Sequence, residues 1–109
     1  MNKQEKKILL IHVREDGTIQ DHEFELIVKY MQLQHHQVRR LDVLKEDLDT
    51  AILDEVDATI IGGSGQFLLS RGDIPEAIDS ISQFAKEARQ RLHPMLGICF
   101  GAQILSHVF

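Results

Sequence analysis

The chain has 109 residues, of which 43% are hydrophobic and 27% are charged, and its formal net charge is −5. This composition fits one globular domain, and the scattered basic residues of an acidic chain argue against nucleic-acid binding. The apolar runs, such as residues 8–11, are too short for a membrane span or a signal-peptide core. We therefore expect a cytoplasmic protein that has no membrane partner.

The first half of the chain alternates between predicted strands and helices. Residues 7–13 (KILLIHV) form a continuous apolar run, typical of a strand covered on both faces. A helix follows, with Asp21 as its expected N-cap. Its apolar face consists of Phe24, Ile27, Val28 and Met31. Residues 37–44 (QVRRLDVL) predict an edge strand, residues 45–56 a short helix, and residues 57–63 (DATIIGG) a third strand.

The second half continues the same alternation. Residues 72–92 predict the clearest helix, in which Asp73 and Glu76 form a capping box. Its expected buried stripe consists of Ile74, Ile78, Ile81, Ala85, Ala88 and Leu92. Residues 94–99 predict a fourth strand, and residues 101–109 predict the start of another helix.

This alternation predicts an α/β fold with a parallel sheet. Ligands of such sheets bind outside the carboxyl ends of the strands. Two loops follow predicted strands at this edge, namely Gly62-Gly63-Ser64-Gly65 and Cys99-Phe100-Gly101. We expect the functional site where these two loops meet.

Cys99 is the only cysteine, and it lies between Gly97 and Gly101 at a predicted strand-to-helix junction. A G-x-C-x-G turn is the cysteine form of a nucleophile elbow, a strained turn that raises the nucleophile above the sheet. The N-terminus of the following helix favours negative charge, and the thiolate is the reactive form of cysteine. The amide of Phe100 would then face an oxyanion. The structural alternative is a packing junction of small residues that holds a buried cysteine.

The loop at residues 62–65 allows three interpretations. A phosphate cradle has weak support, because the lysine of a P-loop is missing and Leu68 stands where the third glycine of G-x-G-x-x-G would fall. A plain turn with positive φ is the second interpretation. In the third, this loop gives a second backbone N–H to the oxyanion, and the two loops together form an acyl-transfer site.

Together these motifs resemble the N-terminal half of a class I (triad-type) glutamine amidotransferase domain. The resemblance rests on GICFGAQIL at residues 97–105, which follows the pattern G-[IV]-C-x-G-x-Q, and on IIGGSG at residues 60–65. It implies a three-layer α/β sandwich with a parallel sheet of flavodoxin-like topology, of which residues 1–109 form the N-terminal part as a single domain. It also implies that Cys99 attacks the side-chain amide of glutamine, with no metal and no cofactor.

The resemblance further implies roles for groups around Cys99. Gly63 and Phe100 would supply the oxyanion-hole amides, and Gly65 and Gln103 would help to hold glutamine. The released ammonia would pass to a synthetase domain or a partner subunit. Ser64 departs from the family pattern, because it replaces the proline that is usual in this loop.

The family's general base is a histidine followed closely by a carboxylate, on a strand well downstream of the cysteine. No such pair follows Cys99 in residues 1–109. His107 is eight residues after Cys99, more than two helical turns away, and should point away from the sulfur. His12 ends the first strand with no carboxylate paired to it, and we interpret it as a partly buried structural histidine. Solvated positions are expected for His22, His35, His36 and His93. We therefore expect residues 1–109 alone to lack glutaminase turnover.

Two other functions stay open. The chain could be a catalytically silent binding or assembly module, or half of a split α/β protein. It would then self-associate, or pair with a complementary chain, through an open edge of the sheet. It could also be a cysteine hydrolase of the same superfamily that cleaves γ-glutamyl peptides.

Overall fold

The computed structural model describes residues 6–64 and 71–109. Its elements are β1 (Ile8–His12), α1 (Gly17–Tyr30), a 3₁₀ helix (His35–Gln37), β2 (Val38–Asp42), a second 3₁₀ helix (Thr50–Asp54), β3 (Ala58–Ile61), α2 (Pro75–Gln90), β4 (Met95–Gly97) and α3 (Phe100–Val108). Each of the four predicted strands is present. Within the two described ranges, every helix is too short or too polar to cross a bilayer.

The four described strands form one parallel sheet in the order β2-β1-β3-β4. Ile8 of β1 aligns with Val38 of β2 and with Ala58 of β3, and Ile61 of β3 aligns with Gly97 of β4. The loops that follow β3 and β4 therefore leave the same edge of the sheet side by side. The edge position predicted for the second strand is confirmed, since β2 pairs with β1 alone among the described strands.

Helices cover both faces of the sheet and make a three-layer α/β sandwich, as predicted. All five side chains of β1 are buried, because alternate residues of a strand serve opposite faces. Leu9 packs in one cluster with Phe84 of α2 and Ile104 of α3, whereas Leu10 packs in another with Ile27 of α1. The strand order is that of flavodoxin-like folds, which bind ligands at the carboxyl edge.

Helix α1 begins earlier than the apolar pattern indicated. Its N-cap is Asp16, which accepts a hydrogen bond from the Thr18 N–H at 2.8 Å, so the prediction of Asp21 as N-cap is wrong. The apolar pattern marks only where the buried face starts, whereas Asp16 caps an exposed first turn. Asp21 lies inside the helix, and its carboxylate pairs with Arg40 of β2 at 2.7 Å.

The capping box predicted at the start of α2 is also wrong. The N-cap position belongs to Ile74, which adopts the left-handed conformation with φ of 44°. Asp73 therefore lies one residue outside the cap position, and its carboxylate accepts a hydrogen bond from the Arg71 guanidinium at 2.6 Å. Pro75 occupies the first turn of the helix, where its missing N–H costs no hydrogen bond.

The buried face of α2 differs in part from the predicted stripe. It consists of Ala77, Ile81, Phe84, Ala85 and Ala88. Leu92 is 89% exposed, because the helix ends at Gln90 and Leu92 itself has a φ of 56°. The predicted short helix at residues 45–56 is a 3₁₀ helix at Thr50–Asp54, in which Ile52 is buried.

Candidate active site

The loops that follow β3 and β4 meet at the carboxyl edge of the sheet. The Ile98 N–H donates a hydrogen bond to the Ile61 carbonyl at 2.9 Å, which extends the pairing one residue beyond β4. A Cβ atom added to Gly63 would lie 3.5 Å from Cβ of Cys99. Gly63 and Cys99, which the sequence assigned to one site, are therefore neighbours in the fold.

Cys99 has the backbone geometry of a nucleophile elbow. Its φ of 51° and ψ of −106° are rare for a residue with a side chain, and such a conformation costs about 1–3 kcal/mol. The side chain is exposed, and α3 begins at the next residue. The alternative of a buried packing cysteine is thereby excluded, since a thiol of that kind would be covered by the core.

The two flanking glycines allow this turn to pack against neighbouring backbone. A Cβ atom on Gly97 would lie 2.5 Å from the Ala102 nitrogen, and one on Gly101 would overlap the Ile61 carbonyl. Both contacts are with backbone atoms, which cannot rotate away as a flexible side chain can. Gly97 and Gly101 therefore permit a close backbone approach, and at Gly101 the start of α3 packs directly on the end of β3.

The two amides predicted to form the oxyanion hole differ in their hydrogen bonding. Phe100 is the first residue of α3, and its N–H donates no hydrogen bond to any acceptor in the described part of the chain. Its side chain is buried. The Gly63 N–H, in contrast, donates to Oε2 of Glu23 at 3.3 Å.

Glu23 of α1 is a part of the site that the sequence analysis missed. Its side chain is 12% exposed, and its Oε1 lies 3.0 Å from Nδ1 of His12 at the end of β1. Its Oε2 lies 3.7 Å from Nε of Arg14. The prediction that no carboxylate pairs with His12 is therefore wrong. The pairing joins residues from a strand end and from the second turn of the next helix, which share the carboxyl edge of the sheet.

The hydrogen bonds of His12 define its tautomer. Nε of Arg40 can only donate, and it lies 3.0 Å from Nε2 of His12, so Nε2 is the acceptor. Nδ1 therefore carries the proton and donates it to Glu23. His12 is 1% exposed, and both of its ring nitrogens are engaged.

A cavity of about 230 Å³ lies next to this group. Its lining consists of Arg14, Ile19, His22, Glu23, Leu26, Ile27 and Ile98. Ile98 immediately precedes Cys99, so the cavity lies between the elbow and α1. The lining of this cavity is mostly apolar, and it includes the cationic side chain of Arg14 and the anionic side chain of Glu23.

The remaining residues that the sequence assigned to the site differ in where they lie. Gln103 is exposed one helical turn after Cys99, and its N–H donates to the Cys99 carbonyl at 3.0 Å. Gly65 lies outside the described residues. Ser64 is buried behind Gly63. Within residues 6–64 and 71–109, no cluster of three or more His, Cys, Asp or Glu side chains could hold a metal ion.

The histidines provide no base for Cys99 in the described part of the chain, where none of them forms a hydrogen bond with its sulfur. His107 contributes to a separate cavity that α2 residues line. His93 was expected in solvent, but it is half-buried, and its Nε2 lies 2.9 Å from Oγ1 of Thr59. Burial lowers the pKa of His93, because it disfavours the imidazolium form.

Comparison with known proteins shows which family the chain is similar to. Residues 19–109 match the family described as glutamine amidotransferase class-I. The chain is 29% identical over 85 residues to the GMP synthase (glutamine-hydrolyzing) of Ehrlichia canis (strain Jake). It is 31% identical over 85 residues to the enzyme of the same name from Ehrlichia ruminantium (strain Gardel). Each alignment covers 74% of this chain but only 16% of the relative's length.

No solved structure shows a significant match to the chain. The family match, however, covers well over half of the residues and includes both loops of the site. It also agrees with the parallel sheet and its strand order. The chain therefore belongs to the class I glutamine amidotransferase family.

Proposed function

We propose that this chain carries the nucleophile part of a glutaminase site, in which Cys99 hydrolyses the side-chain amide of glutamine. The observation that supports this most strongly is the exposed Cys99 on a strained turn at the start of α3, beside Gly63. The ψ of −106° takes Cys99 outside the left-handed region that Ile74 occupies. Such a conformation persists only where the surrounding structure enforces it, and such strain is concentrated at functional sites.

The reaction would follow the chemistry of a cysteine nucleophile. The thiolate of Cys99 attacks the side-chain carbonyl carbon of glutamine, and the C=O electrons move onto oxygen. The oxyanion then accepts hydrogen bonds from the amides of Phe100 and Gly63, each of which contributes about 10²–10³ in rate. When the oxyanion collapses, the C–N bond breaks, the nitrogen takes up a proton and ammonia leaves. Water attacks the γ-glutamyl thioester, which releases glutamate and the free thiol.

Substrate binding and ammonia delivery are assigned from the same family. Gln103 presents an exposed amide one turn after Cys99, where it could hold the polar groups of glutamine. Gly65, which lies outside the described residues, is assigned to glutamine binding from the family motif alone. The ammonia would go to a synthetase domain or partner subunit, as the names of the GMP synthase relatives suggest.

The proton transfers need a general base within hydrogen-bonding reach of the sulfur. His12 is close to the site, but both of its ring nitrogens are engaged. We therefore infer that residues 1–109 alone react with electrophilic glutamine analogues but release ammonia from glutamine very slowly. The base would come from another segment or subunit.

Labelling tests this proposal. A glutamine analogue with a diazoketone in place of the amide alkylates a thiol: the diazo carbon takes up the thiol proton, the C–S bond forms and N₂ leaves. The added mass should be found on Cys99. Glutamine should slow this labelling, asparagine should slow it much less, and Cys99→Ala should stay unlabelled. Labelling that glutamine does not slow would contradict the proposal. Slowing by γ-glutamyl peptides rather than by glutamine would favour the related hydrolase.

A second candidate function is an assembly module, and the outer edge of β4 favours it. β4 pairs with β3 alone among the described strands, and Leu96 is 57% exposed. A strand from a second copy or from a complementary chain could add to this edge. Light scattering that reports a monomer at every concentration would count against self-association. Absence of any glutamine-protected labelling would leave assembly as the better candidate.

A further inference from the structure

We propose that Glu23 is a positioning residue that occupies the Gly63 amide in the resting site, so that acyl transfer at Cys99 requires this carboxylate to withdraw. The inference rests on the proposed function, because it assumes that Gly63 and Phe100 stabilise an oxyanion formed at Cys99. It adds a residue that the family motifs at Cys99 and Gly63 do not include.

The carboxylate of Glu23 lies directly on the glycine loop. Its Oε2 accepts the Gly63 N–H at 3.3 Å. A Cβ atom on Gly62 would lie 2.5 Å from Oε1 and 2.6 Å from Oε2, so only a glycine at this position admits the carboxylate. Oε2 therefore sits where a second acceptor for the Gly63 amide, such as an oxyanion, would have to approach.

A chain of hydrogen bonds holds Glu23 in this place. Asp21 pairs with Nη2 of Arg40 at 2.7 Å, and Nε of Arg40 donates to Nε2 of His12 at 3.0 Å. Nδ1 of His12 then donates to Oε1 of Glu23 at 3.0 Å. The histidine donates only through Nδ1, and this hydrogen bond holds Oε1 of Glu23. The other carboxylate oxygen, Oε2, then faces the Gly63 N–H.

This arrangement opposes oxyanion formation in two ways. The Gly63 N–H already donates to a carboxylate oxygen at 3.3 Å, so an oxyanion would have to compete for the same donor. The carboxylate is also negative, so it repels an oxyanion that develops beside it in a partly buried site. The Phe100 amide alone is free of such competition within the described ranges.

Arg14 offers the carboxylate a second place. Its Nε is buried and, in the described part of the chain, has no hydrogen-bond partner, although it lies only 3.7 Å from Oε2 of Glu23. A shift of Oε2 by less than roughly 1 Å toward Arg14 would form that hydrogen bond at ordinary length. The same shift would release the Gly63 amide, so two arrangements of the carboxylate are available within one local network.

Two reactions of Cys99 separate this effect from general reactivity. Iodoacetamide alkylates the thiolate by direct displacement of iodide, in which no oxyanion forms. p-Nitrophenyl acetate acylates it through a tetrahedral oxyanion, which then expels p-nitrophenolate and leaves a thioester. In both reactions the thiol proton passes to the buffer. Cys99 is the only cysteine, so the fraction of the chain that carries each adduct mass, followed over time, gives the rate of that reaction. Cys99→Ala gives the background labelling.

The ratio of the acylation rate to the alkylation rate is the readout, and Glu23→Gln is the main variant. His12 Nδ1–H would keep the amide oxygen, which turns the amide NH₂ toward Gly63 and frees its N–H. We expect the ratio to rise by about tenfold, part of the 10²–10³ that one oxyanion donor contributes. Glu25→Gln is the matched control on an exposed position of the same helix, and it should leave the ratio unchanged.

Glu23→Asp is the second variant, in case the glutamine substitution disturbs folding. It keeps the charge but draws it back by one methylene from Gly63, so the ratio should rise by a smaller factor. A ratio that stays the same or falls in folded Glu23 variants would overturn the proposal. If glutamine slows the diazoketone labelling of the wild type but the ratio is unchanged in the variants, the role of Glu23 is refuted and the glutaminase assignment is not. A raised ratio without glutamine protection would instead refute the glutaminase assignment.

Discussion

Two regions meet at the carboxyl edge of the sheet, and they are built in different ways. The elbow that carries Cys99 is defined by backbone contacts, in which Gly97 and Gly101 press against main-chain atoms of α3 and β3. The cluster of His12, Arg14 and Glu23 consists of side chains from β1, the loop after it and α1. Backbone atoms in contact cannot move apart without displacing β3 and α3, whereas the side chains of the second region can change rotamer. Substitutions in the two regions should therefore differ in kind.

The largest effect is expected for Gly101→Ala. The added methyl group would overlap the backbone of Ile61, so β3 and α3 would have to separate, at a cost of about 3 kcal/mol or more in the free energy of unfolding. Gly17→Ala is the matched control, because no atom lies within 4 Å of its added methyl group. Chemical denaturation measures both, and equal stabilities would refute the close packing at the elbow.

His12→Asn should have the next largest effect. Its amide NH₂ takes the place of Nδ1 and can still donate to Glu23, but no group replaces Nε2, so Nε of Arg40 loses its acceptor, which we expect to cost about 1–3 kcal/mol in the free energy of unfolding. His35→Ala removes an exposed pair with Glu25 and should change stability by less than about 0.5 kcal/mol. Similar losses in the two variants would show that the buried hydrogen bonds of His12 stabilise the fold no more than the exposed pair does.

Gly62→Ala should have a smaller effect on stability but a clear effect on reactivity. Its methyl group would meet the carboxylate of Glu23, a side chain that can move, so the cost should be only about 1 kcal/mol. The displaced carboxylate would release Gly63, and the acylation-to-alkylation ratio at Cys99 should rise as it does in Glu23→Gln. An unchanged ratio together with a stability loss as large as that of Gly101→Ala would mean that the side-chain cluster is as rigid as the elbow.

The smallest effect concerns pH and His93, which lies outside both regions. Its folded pKa is below the unfolded value of about 6.5, because burial disfavours the charged form. In the window just below pH 6.5 the unfolded chain therefore binds more protons, and stability falls as the pH drops. The slope of the unfolding free energy between about pH 7 and pH 5.5 should be slightly smaller in His93→Gln than in the wild type. The exposed His36→Gln is the control, and an equal slope in His93→Gln and wild type would contradict the expectation.

The comparison of the two regions also explains what the sequence could predict. The strands, the parallel sheet and the strained turn at Cys99 were accessible, because they depend on local apolar runs and on glycines at fixed spacing. The three-layer sandwich followed from the family resemblance. Glu23 was not accessible, because its role comes from three elements that converge at one edge and no single segment contains the pattern. The caps of α1 and α2 were missed for a related reason, since apolar periodicity marks the buried face of a helix and not its first residue.

The most direct test of the central claim is the labelling of Cys99 by the diazoketone analogue, followed by mass spectrometry with and without glutamine. We predict one adduct per chain, located on Cys99, whose formation glutamine slows strongly and asparagine slows much less. An adduct on Cys99 that forms at the same rate with and without saturating glutamine would contradict the assignment of this edge as a glutamine site.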